Sequence, residues 1–241
     1  APVKESPFYI EGMDTQYTEY DVAKANEYLD KVLPDKDANG MRLDKNGNPF
    51  QIIFVVANDW GFGTQYIQMT ELLIGYWKAV GVDVVLNSIP SAQYDEDKKK
   101  NLIEASMYTG EGGAGITPIL DPRYYVPLMG AGVFNQTWSV WRVPDPTGTS
   151  VAVEPPQWAK DAYAKYQDGV LVQPTFEGQV EKMREVLQEA KERFYVIGIS
   201  RAGSMYYPFN IRLGGIPETW YDGWNEGSTK IQYPEQWFIK P

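Results

Sequence analysis

The order of apolar runs between residues 50 and 108 constrains this chain most. Phe50-Gln51-Ile52-Ile53-Phe54-Val55-Val56 reads as a buried strand. Residues 64–80 follow with Tyr66, Met69, Leu73, Tyr76, Trp77 and Val80 at helical spacing, and Gly81 is placed to stop that helix. Val82-Asp83-Val84-Val85-Leu86 reads as a second strand, and residues 91–101 as a charged helix carrying the solvated run Asp95-Glu96-Asp97-Lys98-Lys99-Lys100. Ile103-Glu104-Ala105-Ser106-Met107-Tyr108 reads as a third strand. Strand, helix, strand, helix, strand predicts an α/β layer with largely parallel neighbours, because parallel strands need a crossover and a helix supplies it.

The flanking segments are less regular. Residues 1–19 carry Pro, Gly and Ser without a period and read as an extended lead-in. Asp21 is placed to cap a helix whose apolar face holds Val22, Ala25, Leu29 and Val32, and Pro34 ends it. Asp35 to Gly40 and Lys45 to Asn48 are turn chemistry around Met41-Arg42-Leu43, so a short hairpin arm is expected before the first strand. Residues 109–157 are irregular and rich in Gly and Pro. Helices are expected at about 156–168 and 174–193, and a strand at Phe194-Tyr195-Val196-Ile197-Gly198-Ile199. The tail, 200–241, is aromatic and reads as extended.

Composition narrows the chemistry. The chain has no Cys and no His, which removes a disulfide framework, thiolate metal sites, the usual general base and the usual zinc ligand. Catalysis would rest on carboxylates, Lys or Tyr. A net charge of −10 repels phosphate, so no nucleic-acid partner is expected. No apolar run reaches transmembrane length. The 17 Tyr and 8 Trp suit a wet, polar ligand, although buried aromatics also pack cores.

Several stretches could carry a site. Asp35-x-Asp37-x-Asn39-Gly40 matches the first half of an EF-hand loop, but the twelfth position is Asn46 where calcium needs a bidentate Glu, and an Asx-rich hairpin accounts for it. Gly110-Glu111-Gly112-Gly113-Ala114-Gly115 follows a strand yet lacks Lys-Ser/Thr, and Glu111 would repel phosphate. It reads instead as a loop where backbone groups approach a ligand closely, at the strand end where α/β sheets place ligands. Glu111 could accept from ligand amines or hydroxyls, or cap neighbouring amides. Tyr108, Glu111, Gly112 and Gly113 are therefore candidate ligand contacts, as are Asp59 and Trp60 after the first strand, where helix capping is the plainer role of Asp59. Trp138 and Trp141 lie three apart in a loop-like stretch and read as a stacking platform or as core anchors. Glu111 with Asp121 could form a glycosidase pair, which keeps a carboxylate-based glycoside hydrolase as an alternative. The aromatic tail could also serve a polypeptide partner.

The series of motifs resembles the family-5 extracytoplasmic solute-binding proteins of ABC importers. Tyr20-Asp21-x-x-Lys24-Ala25-x-x-Tyr28-Leu29 is similar to one of their helices. Asp37-Ala38-Asn39-Gly40-Met41-Arg42 with Asn46-Gly47-Asn48-Pro49-Phe50 resembles their hairpin. Glu71-Leu72-Leu73 through Trp77-Lys78-Ala79-Val80-Gly81-Val82-Asp83-Val84, Tyr94, Glu154-Pro155-Pro156 and Tyr233-Pro234-Glu235-Gln236-Trp237-Phe238 match further segments in order.

The resemblance implies a type II periplasmic-binding-protein-like lobe, with a mixed, mostly parallel sheet flanked by helices. It implies residues 20–199 as the second lobe of a clamp, 1–19 as its lead-in, and 200–241 as a segment returning to a first lobe that these 241 residues do not include. It implies capture of oligopeptides or oligosaccharides for an ABC permease, outside the cytoplasm, with no cofactor, no metal and no chemistry of its own. Peptide-binding members pair an acidic residue with the peptide amino terminus. Glu111 falls in the comparable place, although Tyr108-Thr109-Gly110-Glu111 departs from their pattern and suits oligosaccharides as well.

Overall fold

The computed structural model describes residues 1–110, 115–130, 136–199, 206–220 and 234–240. The chain divides into two compact units, one of residues 17–109 and 143–153, the other of residues 1–16, 110–142 and 154–241.

The first unit is the expected α/β layer. Its elements are α1 (Val22–Leu29), β1 (Gln51–Ala57), α2 (Gly63–Lys78), β2 (Asp83–Ile89), α3 (Ser91–Lys99) and β3 (Ala105–Ser106). The sheet order is β2-β1-β3 and both pairings are parallel. Gln51 pairs with Asp83 and Ala57 with Ile89, while Phe54 and Val55 face Ala105 and Ser106. The apolar run in β1 follows from this central place, since both its faces are covered. Phe54 and Val56 point to a cluster with Val82, Val84 and Met107, roofed by Tyr66, Met69, Leu73 and Trp77 of α2. Val55 and Ala57 point the other way, to Ile89, Tyr94 of α3 and Trp60. The period of two thus sorts β1 between two helices.

Most local signals act as read, but α1 ends at Leu29, before Pro34, and Val32, expected on its apolar face, is exposed. Asp21 caps α1, its Oδ1 accepting from the Lys24 amide at 2.9 Å. Gly81 has φ +80° after α2, and a Cβ there would lie 2.5 Å from the Gly40 carbonyl oxygen. The arm between α1 and β1 carries antiparallel bridges Lys36–Arg42 and Leu43–Pro49. In the calcium-like stretch, Asp37 Oδ1 faces its own backbone, accepting from the amides of Asn39 and Met41 at 2.8 and 2.9 Å. Arg42 has no exposed surface. Its guanidinium donates to the carbonyls of Val80 (2.8 Å) and Leu33 (2.5 Å) and to Asn26 Oδ1 (2.7 Å), tying the arm to α1 and to the end of α2.

The second unit is mainly helical: α4 (Thr117–Leu120), α5 (Gln136–Arg142), α6 (Gln157–Ala164), a π-type turn over Lys165–Val170, and α7 (Phe176–Arg193). Thr175 caps α7 by accepting from the Gly178 amide at 3.1 Å. Met183, Val186, Leu187 and Ala190 give α7 a buried stripe at spacings of three and four, packed with Ile119, Tyr125, Val126, Tyr166 and Val170. Two-residue strands β4 (Leu213–Gly214) and β5 (Phe238–Ile239) pair antiparallel. Among the described residues no helix is long and apolar enough to cross a membrane.

Three readings are corrected. The opening residues, expected to be extended, form turns that bury Phe8 and Ile10 in the core of the second unit. Trp138 and Trp141 lie on α5 and not in a loop, because Thr137, Ser139 and Val140 are buried along that short helix. Residues 194–199 form no strand: Phe194 takes a left-handed conformation (φ 53°) that ends α7, and Val196, Ile197 and Ile199 stay exposed.

Candidate functional site

In the first unit the carboxyl ends of β1 and β3 release Asn58-Asp59-Trp60 and Met107-Tyr108 at one edge of the sheet, and α3 begins beside them after β2. Parallel α/β sheets expose ligand-accessible loops at this edge. Trp60 is half-buried and forms the centre of an aromatic group. Its ring lies 5.1 Å from Tyr94 and 5.3 Å from Tyr108, tilted 66° and 81°, both edge-to-face contacts. Tyr94 is buried and its hydroxyl meets Ser106 Oγ on β3 at 3.0 Å. Burial pushes the Tyr94 hydroxyl pKa above its ordinary value, so it stays protonated. Tyr108 is exposed, with Lys98 Nζ 5.5 Å from its ring centre.

Polar groups border the rings. Asn58 Nδ2 donates to Ser88 Oγ at 3.2 Å, which leaves amide and hydroxyl hydrogen-bonding capacity at the exposed edge. Asp59 Oδ1 accepts from the Ser91 amide at 2.7 Å, so the carboxylate satisfies an amide of the first turn of α3. That bond holds its carboxyl below the usual carboxylate range. The arrangement offers aromatic faces with neutral donors and acceptors, which suits binding of polar rings or side chains.

Of the sequence-derived candidates, Trp60 and Tyr108 meet directly, and Asp59 stands beside them engaged as a helix cap. Glu111, Gly112 and Gly113 lie outside the described residues. Trp138 and Trp141 belong to the second unit. There Trp138 packs edge-on against Trp158, at 5.5 Å and 80°, and Trp158 stacks on Tyr195 at 5.6 Å and 15°. Arg193 covers the Trp158 ring at 4.7 Å. Burial pushes the Tyr195 hydroxyl up to about 12. Trp138 is therefore a packing anchor, whereas Trp141 is exposed with Lys160 Nζ 4.7 Å from its ring centre. Asp121 is paired with Arg123 Nε at 2.6 Å. Among the described residues no group of three or more His, Cys, Asp or Glu is placed to hold a metal ion.

Sequence reasoning did not single out Tyr94, Ser106 or Asn58 as site residues. Tyr94 had a signal, as a lone aromatic in an otherwise charged helix. Ser106 and Asn58 had none beyond their place at strand ends.

No protein-family model matches the chain, and no curated protein matches it. Solved structures do. The oligopeptide-binding protein OppA superposes with a TM-score of 0.64 at 21% identity, over 81% of this chain and 31% of its own. The periplasmic binding protein MelB of Agrobacterium fabrum C58, in complex with stachyose, gives 0.60 at 16% identity, over 80% of this chain and 28% of its own. The oligopeptide-binding protein AppA of Bacillus subtilis, in complex with a nonapeptide, gives 0.56 at 13% identity, over 99% of this chain and 41% of its own. The chain thus spans less than half the length of these structures, and over that part it has the α/β fold of periplasmic binding proteins.

Proposed function

We propose that this chain is a ligand-binding lobe of an ABC-transporter substrate-binding protein. It captures oligopeptides or oligosaccharides outside the cytoplasm and hands them to a membrane permease as part of a two-lobed receptor, without chemistry of its own. The observation that carries this reading is the half-buried Trp60, packed on Tyr94 and Tyr108 at the carboxyl edge of a parallel sheet. Structures with this fold were solved with stachyose and with a nonapeptide, which supports both ligand classes. Trp60 and Tyr108 present aromatic faces, and Asn58 and Ser88 supply neutral hydrogen bonds. Trp141 is a further exposed aromatic surface. Residues 20–199 correspond to the second lobe, and 200–241 to the segment that returns to the first.

The test is nuclear magnetic resonance of the indole N–H of Trp60, assigned by its loss in Trp60→Phe. The chain is titrated with a pool of tri- to hexapeptides and separately with a pool of neutral oligosaccharides. A single lobe binds weakly, because the facing half supplies contacts and desolvation, so shifts are expected only at high ligand concentration. Displacement by either pool supports the reading and selects the ligand class. An unmoved Trp60 resonance with both pools overturns it.

A further inference from the structure

The arm before β1 contains the same turn twice, seven residues apart. Asp37-Ala38-Asn39-Gly40-Met41 is followed by Asp44-Lys45-Asn46-Gly47-Asn48. The hydrogen bonds repeat with the residues. Asp37 Oδ1 accepts from the amides of Asn39 and Met41 at 2.8 and 2.9 Å, and Asp44 Oδ1 from those of Asn46 and Asn48 at 2.8 and 2.9 Å. The Gly40 amide donates to the Asp37 carbonyl and the Gly47 amide to the Asp44 carbonyl, each at 3.0 Å. Both glycines are left-handed, at φ +81° and +82°.

The surroundings differ. In the first turn the Gly40 carbonyl oxygen abuts Gly81, and the Arg42 amide next to the turn donates to the Gly81 carbonyl at 2.7 Å. The second turn forms the tip of the arm. Lys45, Asn46, Gly47, Asn48 and Pro49 are exposed, as are Asn39 and Gly40, and a Cβ on either turn glycine would meet nothing within 4 Å, so the two turns differ in the tether to Gly81 and not in exposure.

We propose that Asn46-Gly47 is a site of spontaneous deamidation and that its twin, Asn39-Gly40, is protected by the tether of its turn to Gly81. The Gly47 backbone nitrogen, unhindered by a Cβ, gives its proton to solvent base and bonds to Asn46 Cγ. The bond from Cγ to the side-chain nitrogen breaks and ammonia leaves. Water then opens the resulting succinimide at either carbonyl, giving aspartate or isoaspartate; the net change is water in and ammonia out. The attack requires the turn to open, because the Gly47 amide is engaged with the Asp44 carbonyl. Opening the tip breaks only the bonds of its own turn, whereas opening the first turn also lifts it from Gly81. The product sets a second carboxylate beside Asp44, whose Oδ1 accepts from the Asn46 and Asn48 amides, and repulsion between the two charges loosens the tip.

The chain is incubated at mildly alkaline pH and mapped by peptide mass spectrometry, with electron-transfer fragmentation to separate isoaspartate from aspartate. Asn46 is expected to convert at least about tenfold faster than Asn39, with isoaspartate as a product. The Asn48 amide is expected to exchange faster in the converted protein. Equal rates at the two sites, faster conversion at Asn39, or no conversion at Asn46 overturns the proposal. Aspartate without isoaspartate overturns the attack by Gly47.

Discussion

Arg42, fully buried, places Nη1 2.9 Å from Oδ1 of Asp30, a half-exposed carboxylate at the end of α1. The guanidinium satisfies two carbonyls and the Asn26 side chain besides, so one residue joins the arm, α1 and the end of α2. Removing it leaves the partly buried carbonyls of Val80 and Leu33 without this donor and opens a void where the side chain was. Arg42→Ala is expected to destabilise the first unit by about 3 kcal/mol or more. Arg42→Lys recovers only part of this, since an ammonium cannot reach three directions from one plane. Urea unfolding followed by far-ultraviolet circular dichroism checks both, and a wild-type midpoint for Arg42→Ala would sink the account.

The same carboxylate predicts a pH dependence. The Asp30 carboxyl is held below its ordinary value first by its bond to Arg42, then by Lys36. Asp145 is lowered further: it accepts from the hydroxyl and amide of Thr147 at 2.7 and 2.9 Å, from the Ser150 hydroxyl at 2.8 Å and from the Thr149 hydroxyl at 3.1 Å. A depressed folded value means that the unfolded chain binds protons first. The stabilisation is fully present above the unfolded value of about 4 and is lost as pH falls through the folded values. Urea midpoints are expected to fall from pH 5 towards pH 2, with a shallower fall in Asp30→Asn and Asp145→Asn. Unchanged pH slopes in both variants would show that these carboxylates are not the linked groups.

The core of the second unit separates a packing loss from a hydrogen-bond loss. Leu187 is fully buried in the α7 stripe, and Tyr166 reaches from the π-type turn to donate to the Ile119 carbonyl at 2.7 Å. Leu187→Ala is expected to cost roughly 2–5 kcal/mol through a cavity. Tyr166→Phe is expected to cost about 1 kcal/mol, because it removes one buried bond and little volume. Denaturant titration ranks the two, and a larger loss for Tyr166→Phe would contradict the order.

The legibility of the chain follows from how local each signal is. β1, α2 and β2 were readable because an unbroken apolar run, a helical stripe and a terminating glycine are all contained within their own segments. Asp21 and the two arm turns were readable for the same reason, since their partners lie two to four residues away. Phe8 and Ile10 were missed because their burial depends on α7, which lies far along the chain. Phe194 to Ile199 has the composition of a strand, but a strand requires a neighbour to pair with, and composition does not report one. At the candidate site, Trp60 and Tyr108 were proposed from their place after strands, and the structure brings their rings together. The role of Asp59 needed the start of α3 in position before it could be read as a cap.

Tyr94 and Trp60 allow the support of the site to be separated from its contact surface. Tyr94 is buried, with its ring against Trp60 and its hydroxyl on Ser106, so at the proposed site it supports Trp60 and is not itself a contact surface. Tyr94→Phe keeps the ring and removes one hydrogen bond, and is expected to cost about 1 kcal/mol of stability with little change in affinity. Trp60→Ala removes the central ring and leaves Tyr94 and Tyr108 without it. If Trp60 stacks on ligand, affinity for the pool that moves its indole resonance falls by roughly tenfold or more, in the range of an aromatic contact. Trp60→Phe restores part of both stability and affinity. Titration of the three variants with that same pool is the check, and affinity lost in Tyr94→Phe but kept in Trp60→Ala would place the ligand elsewhere on the unit.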